Sequence, residues 1–253
     1  MVLAHRGASA YAPDHTFEAM RIALEQGADA IEADVHLSRD GHPVLHHGGD
    51  LSENTEGSGP IGRYTLSELR DFDAGYRFSP DGGATFPYRG SGLRVLTLAE
   101  ALEAFPETRF NLDIKERRAA GPTRRLIDER GAGGRVLLAA WYSWQRAPAI
   151  RNWPGPRSAT LDQMLTFIVL HWTRTDVLWG KRVDALQVPE RHWGLRVVTP
   201  RLVERAHQLG MRVHVWTVDD ETDMDRLLEW GVDGIVTKRP DTAVKARERF
   251  LVK

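Results

Sequence analysis

The stretch Gln26-Gly-Ala-Asp-Ala-Ile-Glu-Ala-Asp-Val35 decides the fold of this 253-residue chain. It starts where an amphipathic helix predicted at Phe17–Gln26 ends in a glycine, and it continues as an apolar strand over Ala30–Val35. A glycine that closes a helix in the left-handed conformation, followed by a buried strand, is typical of parallel α/β structure. Trp230-Gly-Val-Asp-Gly-Ile235 repeats the pattern near the other end of the chain. The sequence therefore predicts a parallel sheet built from repeated strand–helix units.

Apolar runs of strand length recur with the same rhythm along the chain. The other predicted strands are Val2–His5, Val44–His47, Arg109–Ile114, Val136–Trp141, Ala185–Val188, Arg212–Val218 and Gly234–Thr237, with Arg157–Leu161 as a weaker ninth candidate. The other predicted helices are Leu98–Ala104, Pro200–Leu209 and Glu221–Trp230, and Thr16 is the expected N-cap of the first helix. This alternation favours an α/β fold, an irregular (β/α)8 TIM-type barrel. A doubly wound sheet is the competing architecture, but no G-x-G-x-x-G motif follows the first strand.

Two irregularities interrupt the rhythm. The connection Leu37–Gly41 between the second and third strands is too short for a crossover helix. Either one barrel helix is missing or these two strands form a hairpin, and nine candidates for eight places leave both options open. Residues 48 to about 92 then form a small insertion after the third strand, which either caps the site or packs as an excursion. We expect residues 1–253 to form one barrel domain with this insertion within it.

Composition excludes several classes of function. The chain has 34 Lys+Arg against 35 Asp+Glu and a net charge of −1, which argues against nucleic acid or anionic membrane as the main partner. It has 0 cysteines, so disulfides, thiolate metal sites and a cysteine nucleophile are excluded. The longest apolar run, Met164–Trp172, is far shorter than the roughly 20 residues that span a bilayer, so no stable membrane insertion is expected. No basic-then-apolar leader precedes Val2–His5, so we expect a cytoplasmic protein.

Charged side chains are predicted to face the barrel interior on two strands. Alternation puts Glu32 and Asp34 on one face of their strand, and Asp113 and Lys115 on one face of another. One such pair is more often a plain ion pair or lies in solvent past the strand end, whereas two pairs on different strands favour a site. Three carboxylates without cysteine suit one hard divalent cation, Mg²⁺ or Ca²⁺.

Histidines and cations at strand ends add acid–base and phosphate-binding capacity. His5 ends the first strand and is followed directly by Arg6, while His46 and His47 end the third. Adjacent histidines on a strand point to opposite faces, which weakens a zinc site. Imidazoles serve as general base and general acid near neutral pH, and cations together with a metal bind a phosphoryl group. Phosphodiester cleavage is the reaction for which this set is equipped.

Eight segments together carry a resemblance to a known family. They are Leu3-Ala-His-Arg-Gly7, Ala12-Pro-Asp-His-Thr16, Ile31-Glu-Ala-Asp-Val35, Asp40-Gly-His-Pro-Val-Leu-His-His47, Gly57-Ser-Gly-Pro-Ile-Gly62, Phe110-Asn-Leu-Asp-Ile-Lys115, Val213-His-Val-Trp-Thr-Val218 and Gly231-Val-Asp-Gly-Ile-Val-Thr237. The chain resembles the glycerophosphodiester phosphodiesterase family of phospholipase-C-like barrels. Each segment alone is a weak signal, but all of them occur in the family's order over nearly the whole chain.

The resemblance implies an activity and a role for each matching residue. The implied reaction is metal-dependent hydrolysis of small glycerophosphodiesters to glycerol 3-phosphate and an alcohol, with two histidines as general acid and base. The nucleophile is either water or the substrate's own hydroxyl. The implied catalytic histidines are His5 and His47, the latter identified by counting back from Gly57-Ser-Gly-Pro60. The other implied residues are Arg6 and Lys115 at the phosphate, Trp216 at the substrate pocket, and Glu32, Asp34 and Asp113 as metal ligands.

Several positions depart from the family pattern, among them Lys238, which replaces the usual Asp after Thr237. Gly48 follows the second histidine where the family usually has Asp, His15 replaces the Asn of Pro-Glu-Asn-Thr, and Asp113 stands where Glu is usual. Gly48 and His15 motivate one alternative hypothesis, a barrel that binds phosphate esters without cleaving them.

A second alternative keeps the reaction and changes the substrate. The apolar run Met164–Trp172, with Trp179 and Trp193 nearby, is long enough to receive an acyl chain. This run suggests a lysophospholipase-D-like enzyme acting on lipid phosphodiesters, although a buried core helix or a loop lid is its simpler interpretation.

Overall fold

The computed structural model describes residues 1–175, 179–180, 183–192 and 194–252, and Trp193 lies outside this part of the chain. The strands are β1 (Val2–His5), β2 (Ala30–Leu37), β3 (Pro43–Leu45), β4 (Arg109–Ile114), β5 (Val136–Ala139), β6 (Ala185–Pro189), β7 (Arg191–His192), β8 (Leu195–Arg196), β9 (Arg212–Trp216) and β10 (Gly234–Thr237). The α-helices are α1 (Phe17–Glu25), α2 (Leu66–Leu69), α3 (Leu98–Ala104), α4 (Arg117–Glu129), α5 (Ser143–Ile150), α6 (Leu161–Trp172), α7 (Pro200–Gln208), α8 (Glu221–Glu229) and α9 (Pro240–Val252). Short 3₁₀ helices lie at Leu51–Glu53, Ile61–Arg63 and Ala132–Arg135.

The parallel strands form the wall of a barrel. They are hydrogen-bonded in the order β5-β4-β2-β1-β10-β9-β6. The weak ninth candidate joins the two ends of this order, because Arg157 bridges in parallel to Leu138 of β5 and Ser158 bridges to Ala185 of β6. Ala159 N also donates to Ala185 O at 2.7 Å. The predicted TIM-type barrel is confirmed, and residues 157–159 complete its wall between β5 and β6.

The second and third predicted strands form a hairpin. β2 and β3 are antiparallel, with Val35 opposite Leu45 and Leu37 opposite Pro43. Of the two alternatives that the short connection left open, the hairpin is therefore correct, and β3 lies off the barrel path. β3 ends at Leu45 rather than at the predicted His47, so both adjacent histidines lie in the turn that follows it.

The glycine junctions have the predicted conformation. Gly27 after α1 and Gly231 after α8 have φ values of 88° and 83°, in the left-handed region that glycine adopts without a steric penalty. At the other end of α1, the Thr16 hydroxyl accepts a hydrogen bond from Ala19 N at 3.2 Å. Thr16 is thus the N-cap, as the sequence predicts.

Strand alternation divides β2 between the core and the barrel axis. Ile31, Ala33 and Val35 are fully buried in the hydrophobic core that also includes residues of α1, α3 and α4. The intervening Glu32 and Asp34 line a cavity inside the barrel. The same side-chain period that buries the apolar residues therefore brings two carboxylates together inside the protein.

The insertion packs on a small hydrophobic cluster of its own. Its buried members, together with flanking residues, are Val44, Leu51, Ile61, Leu69 and Val95. Of residues 48–92, all of which the structure describes, none lines the central cavity. Most of the segment therefore packs as an excursion, while its Glu53 lies beside His47 at the edge of the site.

The longest predicted apolar run lies in α6, a helix of 12 residues. Its Phe167 is fully buried, whereas Val169 and Trp172 are exposed. Across the described ranges, the structure contains no helix with the length and apolarity that a bilayer span requires.

Candidate active site

A cavity of about 240 Å³ opens where the barrel strands end. Of the predicted site residues, its wall contains His5, Arg6, Glu32, Asp34, Asp113, Lys115 and Trp216. His47 is the predicted residue that does not line it, but its Nδ1 lies 3.3 Å from Asp34 Oδ2. The structure thus brings all the predicted side chains to one cavity or to its edge.

Asp34 is the centre of the polar cluster and is 1% exposed. Its Oδ1 lies 2.7 Å from Lys115 Nζ. Its Oδ2 lies 3.3 Å from Arg6 Nε, 3.2 Å from His15 Nε2 and 3.3 Å from His47 Nδ1. Burial alone raises the pKa of this carboxyl, but the two histidine contacts and the Lys115 charge outweigh it and hold the pKa well below its usual range. Asp34 is therefore ionised, and its carboxylate contacts all four of these side chains.

Lys115 joins the two carboxylate-bearing strands. Its Nζ donates to Asp113 Oδ2 at 2.6 Å while it contacts Asp34. Burial lowers the pKa of Lys115, but Asp113 and Asp34 raise it by more, so the ammonium is charged. Burial raises the pKa of Asp113 despite the opposing Lys115 charge. One ammonium thus compensates two buried carboxylates.

His5 stands at the end of β1 as a neutral imidazole. Burial and, next, the neighbouring Arg6 lower the pKa of His5 to about 3. Its Nε2 lies 3.9 Å from Glu32 Oε2, and its Nδ1 is buried without a hydrogen-bond partner among the described residues. Burial and the nearby Asp34 raise the pKa of Glu32 well above its usual value. A neutral imidazole in this position can accept a proton at pH 7.

The structure distinguishes between the two adjacent histidines. His46 is 3% exposed and its Nδ1 lies near the Gly48 carbonyl oxygen, at 3.3 Å. His47 instead contacts Asp34, so it is the one that reaches the polar cluster. Counting back from Gly57-Ser-Gly-Pro60 selects the same residue.

Two side chains at the cluster were not among the predicted site residues. His15 appeared in the sequence only as a departure from the family, yet it is 2% exposed and adopts a left-handed φ of 58°. Asn111 lies opposite Glu32 in the β2–β4 register and lines the cavity. The alternation that selected Asp113 puts Asn111 on the same face, so the signal for Asn111 was present in the sequence.

Comparison with known proteins identifies the family. A model of the glycerophosphoryl diester phosphodiesterase family matches residues 5–242. The chain belongs to this family. The resemblance seen in the eight segments, and the hydrolase class that it implied, are confirmed.

Relatives and solved structures cover nearly the whole chain. A glycerophosphodiester phosphodiesterase of Caldanaerobacter subterraneus subsp. tengcongensis is 31% identical, over 96% of this chain and 96% of that protein. The glycerophosphoryl diester phosphodiesterase domain of an uncharacterized Mycobacterium tuberculosis protein superimposes with a TM-score of 0.85 at 22% identity, covering 98% of both chains. An Oleispira antarctica phosphodiesterase, solved with the product sn-glycerol-3-phosphate, gives a TM-score of 0.77 at 24% identity over 98% and 96% of the two chains. At these identities, the two structural matches support the fold.

The oxygen atoms of the cavity wall suit a hard cation. Asp113 Oδ1 and Asn111 Oδ1 are buried without hydrogen-bond partners among the described residues. The same wall holds three carboxyl groups and two cationic side chains. In the arrangement that the structure describes, however, no three acidic or histidine side chains stand where they could hold one ion together. The oxygen donors are of the type that Mg²⁺ and Ca²⁺ prefer. In the described arrangement, however, Lys115 Nζ lies between Asp34 and Asp113.

A row of aromatic rings continues from the cavity to the surface. Trp216 and Trp141 both line the cavity, and their ring centroids are 6.2 Å apart. Tyr142 lies 6.5 Å from Trp141 and 6.3 Å from Trp144, with its ring nearly parallel to that of Trp144. Trp141, Tyr142 and Trp144 are exposed. The family member thus offers an apolar path beside its polar cluster.

Proposed function

We propose that this family member hydrolyses glycerophosphodiesters to glycerol 3-phosphate and an alcohol in the central cavity. The observation that carries the proposal is the joint placement of Arg6, Lys115 and the neutral His5 in one wall with three carboxylates. The Oleispira phosphodiesterase, which shares the fold, was solved with sn-glycerol-3-phosphate. The chain's 31% identity to a glycerophosphodiester phosphodiesterase supports the same substrate class.

In the proposed reaction, Arg6 and Lys115 bind the phosphate, and His5 and His47 transfer protons. Arg6 and Lys115 bind the phosphoryl oxygens and neutralise the charge that builds on them in the transition state. His5 is unprotonated at pH 7 and is the group that we assign to take the proton of the nucleophile during its attack. His47 protonates the leaving alkoxide. The nucleophile is either water, which gives glycerol 3-phosphate directly, or a hydroxyl of the glycerol moiety, which gives a cyclic phosphate that water then opens to glycerol 3-phosphate.

Glu32, Asp34 and Asp113 are the residues that we propose to hold one divalent cation, Mg²⁺ or Ca²⁺. When bound, such an ion supplies Lewis-acid polarisation of a phosphoryl oxygen. The buried Asp113 Oδ1, which has no hydrogen-bond partner among the described residues, supports this assignment because a bound cation would give that oxygen a partner.

A specific observation also favours a lipid diester as a second candidate substrate. Leu161 and Met164, from the first turn of α6, line the cavity beside Trp141. The apolar run Met164–Trp172, predicted to receive an acyl chain, therefore reaches the site with its first residue alone. Trp179 does not line the cavity and instead packs on Phe167, with ring centroids 5.4 Å apart.

Choline release from two substrates compares these candidates in one assay. Glycerophosphocholine and lysophosphatidylcholine both release choline when the bond between phosphate and choline is hydrolysed. We expect faster turnover of glycerophosphocholine, with glycerol 3-phosphate and choline formed in equal amounts. Faster turnover of the lysophospholipid would transfer the assignment to the lipid substrate. Binding of glycerophosphocholine without any product would support the non-catalytic barrel and overturn the proposal.

A further inference from the structure

The His47 ring lies between two carboxylates from different parts of the chain. Its Nδ1 is 3.3 Å from Asp34 Oδ2 on the barrel wall. Its Nε2 is 3.8 Å from Oε2 of Glu53, which belongs to the insertion. The Glu53 side chain is 41% exposed. Both ring nitrogens therefore face an acid, one on each edge of the imidazole.

Gly48 leaves the space in which the Glu53 carboxylate sits. A Cβ built on Gly48 would lie 1.8 Å from Glu53 Oε1 and 2.2 Å from its Oε2, far inside contact distance. The carboxylate therefore occupies the volume of any side chain at position 48. Gly48 also has φ at 73°, a conformation that disfavours other residues. The residue after His47 and the acid beside His47 are thus sterically coupled.

The backbone of Glu53 is well anchored although its side chain is exposed. Leu51, two residues before it, is fully buried in the cluster beneath the insertion. Asp50 Oδ1 accepts hydrogen bonds from Ser52 N at 2.9 Å and from Gly59 N at 3.0 Å, which ties both ends of this turn together. The backbone that carries Glu53 is therefore fixed close to His47, while the carboxylate itself remains free to move.

We propose that Glu53 is a positioning residue for His47, and that Gly48 serves to admit its carboxylate. The inference rests on the proposed role of His47 as general acid. Asp34 alone fixes one nitrogen and leaves the ring free to turn about that contact. The second carboxylate restrains the opposite edge, so that the imidazole keeps one orientation toward the cavity. Loss of such an outer partner is typically felt in turnover rather than in substrate binding.

A double-mutant cycle between the two positions tests the proposal. We expect Glu53→Ala to lower kcat for glycerophosphocholine about tenfold with KM nearly unchanged. Gly48→Ala is expected to lower kcat to a similar extent, because the added methyl displaces the flexible carboxylate toward solvent. In the Glu53→Ala background, Gly48→Ala should cost no further kcat, because nothing remains to be displaced.

Stability and a matched acid provide the controls. Gly48→Ala is expected to lower Tm equally in both backgrounds, because its backbone strain does not depend on Glu53. Glu56→Gln removes a carboxylate of the same segment that binds Asp73 N, and it should leave kcat at the wild-type value. Glu53→Gln keeps the shape of the side chain and should retain more activity than Glu53→Ala.

The outcomes separate the positioning role of Glu53 from the catalytic role of His47. Wild-type kcat in folded Glu53→Ala overturns the positioning role, as does a full additional loss from Gly48→Ala in that background. His47→Ala with wild-type kcat overturns the proposed function of His47 itself. A large loss in His47→Ala together with no loss in Glu53→Ala overturns the positioning role alone.

Discussion

His5→Ala is expected to lower kcat for glycerophosphocholine about 10³-fold. His5 is the histidine that lines the cavity, and it stands beside Arg6 and Glu32 at the end of β1. Burial and the Arg6 charge lower its pKa to about 3, so the imidazole is unprotonated at pH 7, although the same shift makes it a weaker base than a free histidine. Alanine offers no group that can replace this base.

The loss in His5→Ala should be chemical rather than structural. His5 Nδ1 has no hydrogen-bond partner among the described residues, so the substitution removes an unsatisfied buried nitrogen along with the ring. We expect Tm to stay within about 3 °C of the wild-type value. His42→Ala is the matched control, because His42 is an exposed histidine of the β2–β3 turn. Near wild-type kcat in His5→Ala would contradict the assignment of His5 as the base.

Lys115→Met is expected to make the stability of the protein depend on a divalent cation. Lys115 Nζ lies 2.7 Å from Asp34 Oδ1 and 2.6 Å from Asp113 Oδ2. Without this ammonium, the carboxylates repel one another inside the barrel. In EDTA, the free energy of unfolding should fall by about 3 kcal/mol. Millimolar Mg²⁺ or Ca²⁺ should restore much of it, because an ion that binds only the folded state stabilises that state.

Thermal unfolding gives a readout of this effect that is independent of turnover. The wild-type Tm should respond less to the cation than the Tm of Lys115→Met, since the wild type retains its own positive charge at the site. Turnover by the variant should remain about 10²-fold low even with the ion, because the cation that contacts phosphate is gone. Lys245→Met, which removes an exposed lysine of α9, is the control. A Tm of Lys115→Met that ignores both ions would show that these carboxylates hold no cation.

Sequence reasoning predicted those parts of the structure that have a period. Strand alternation put Glu32 and Asp34 on one face, and β4 extends over the predicted Arg109–Ile114 without a change of boundary. The glycine junction at Gly27 was equally readable, because few residues other than glycine adopt its φ of 88°. Most of the fold and most of the candidate site could therefore be predicted, because they lie on regular strands and helices.

The contacts that escaped prediction come from turns. His15 reaches Asp34 because its backbone is left-handed, with φ at 58°. A histidine in the sequence does not predict that conformation. Glu53 meets His47 only because the chain turns sharply at Gly48, and no periodic pattern links positions 47 and 53. The segment 157–159 is hard to predict as a strand because it is short, and in the structure it makes only isolated bridges.

Release of glycerol 3-phosphate from glycerophosphocholine by the wild-type protein, in EDTA and then with Mg²⁺ or Ca²⁺ restored, tests the central claim most directly. We predict that product formation stops with the chelator and returns with at least one of the two ions. Undiminished release in EDTA would contradict the cation assigned to Glu32, Asp34 and Asp113. Absence of product under every condition would contradict the proposed hydrolysis itself.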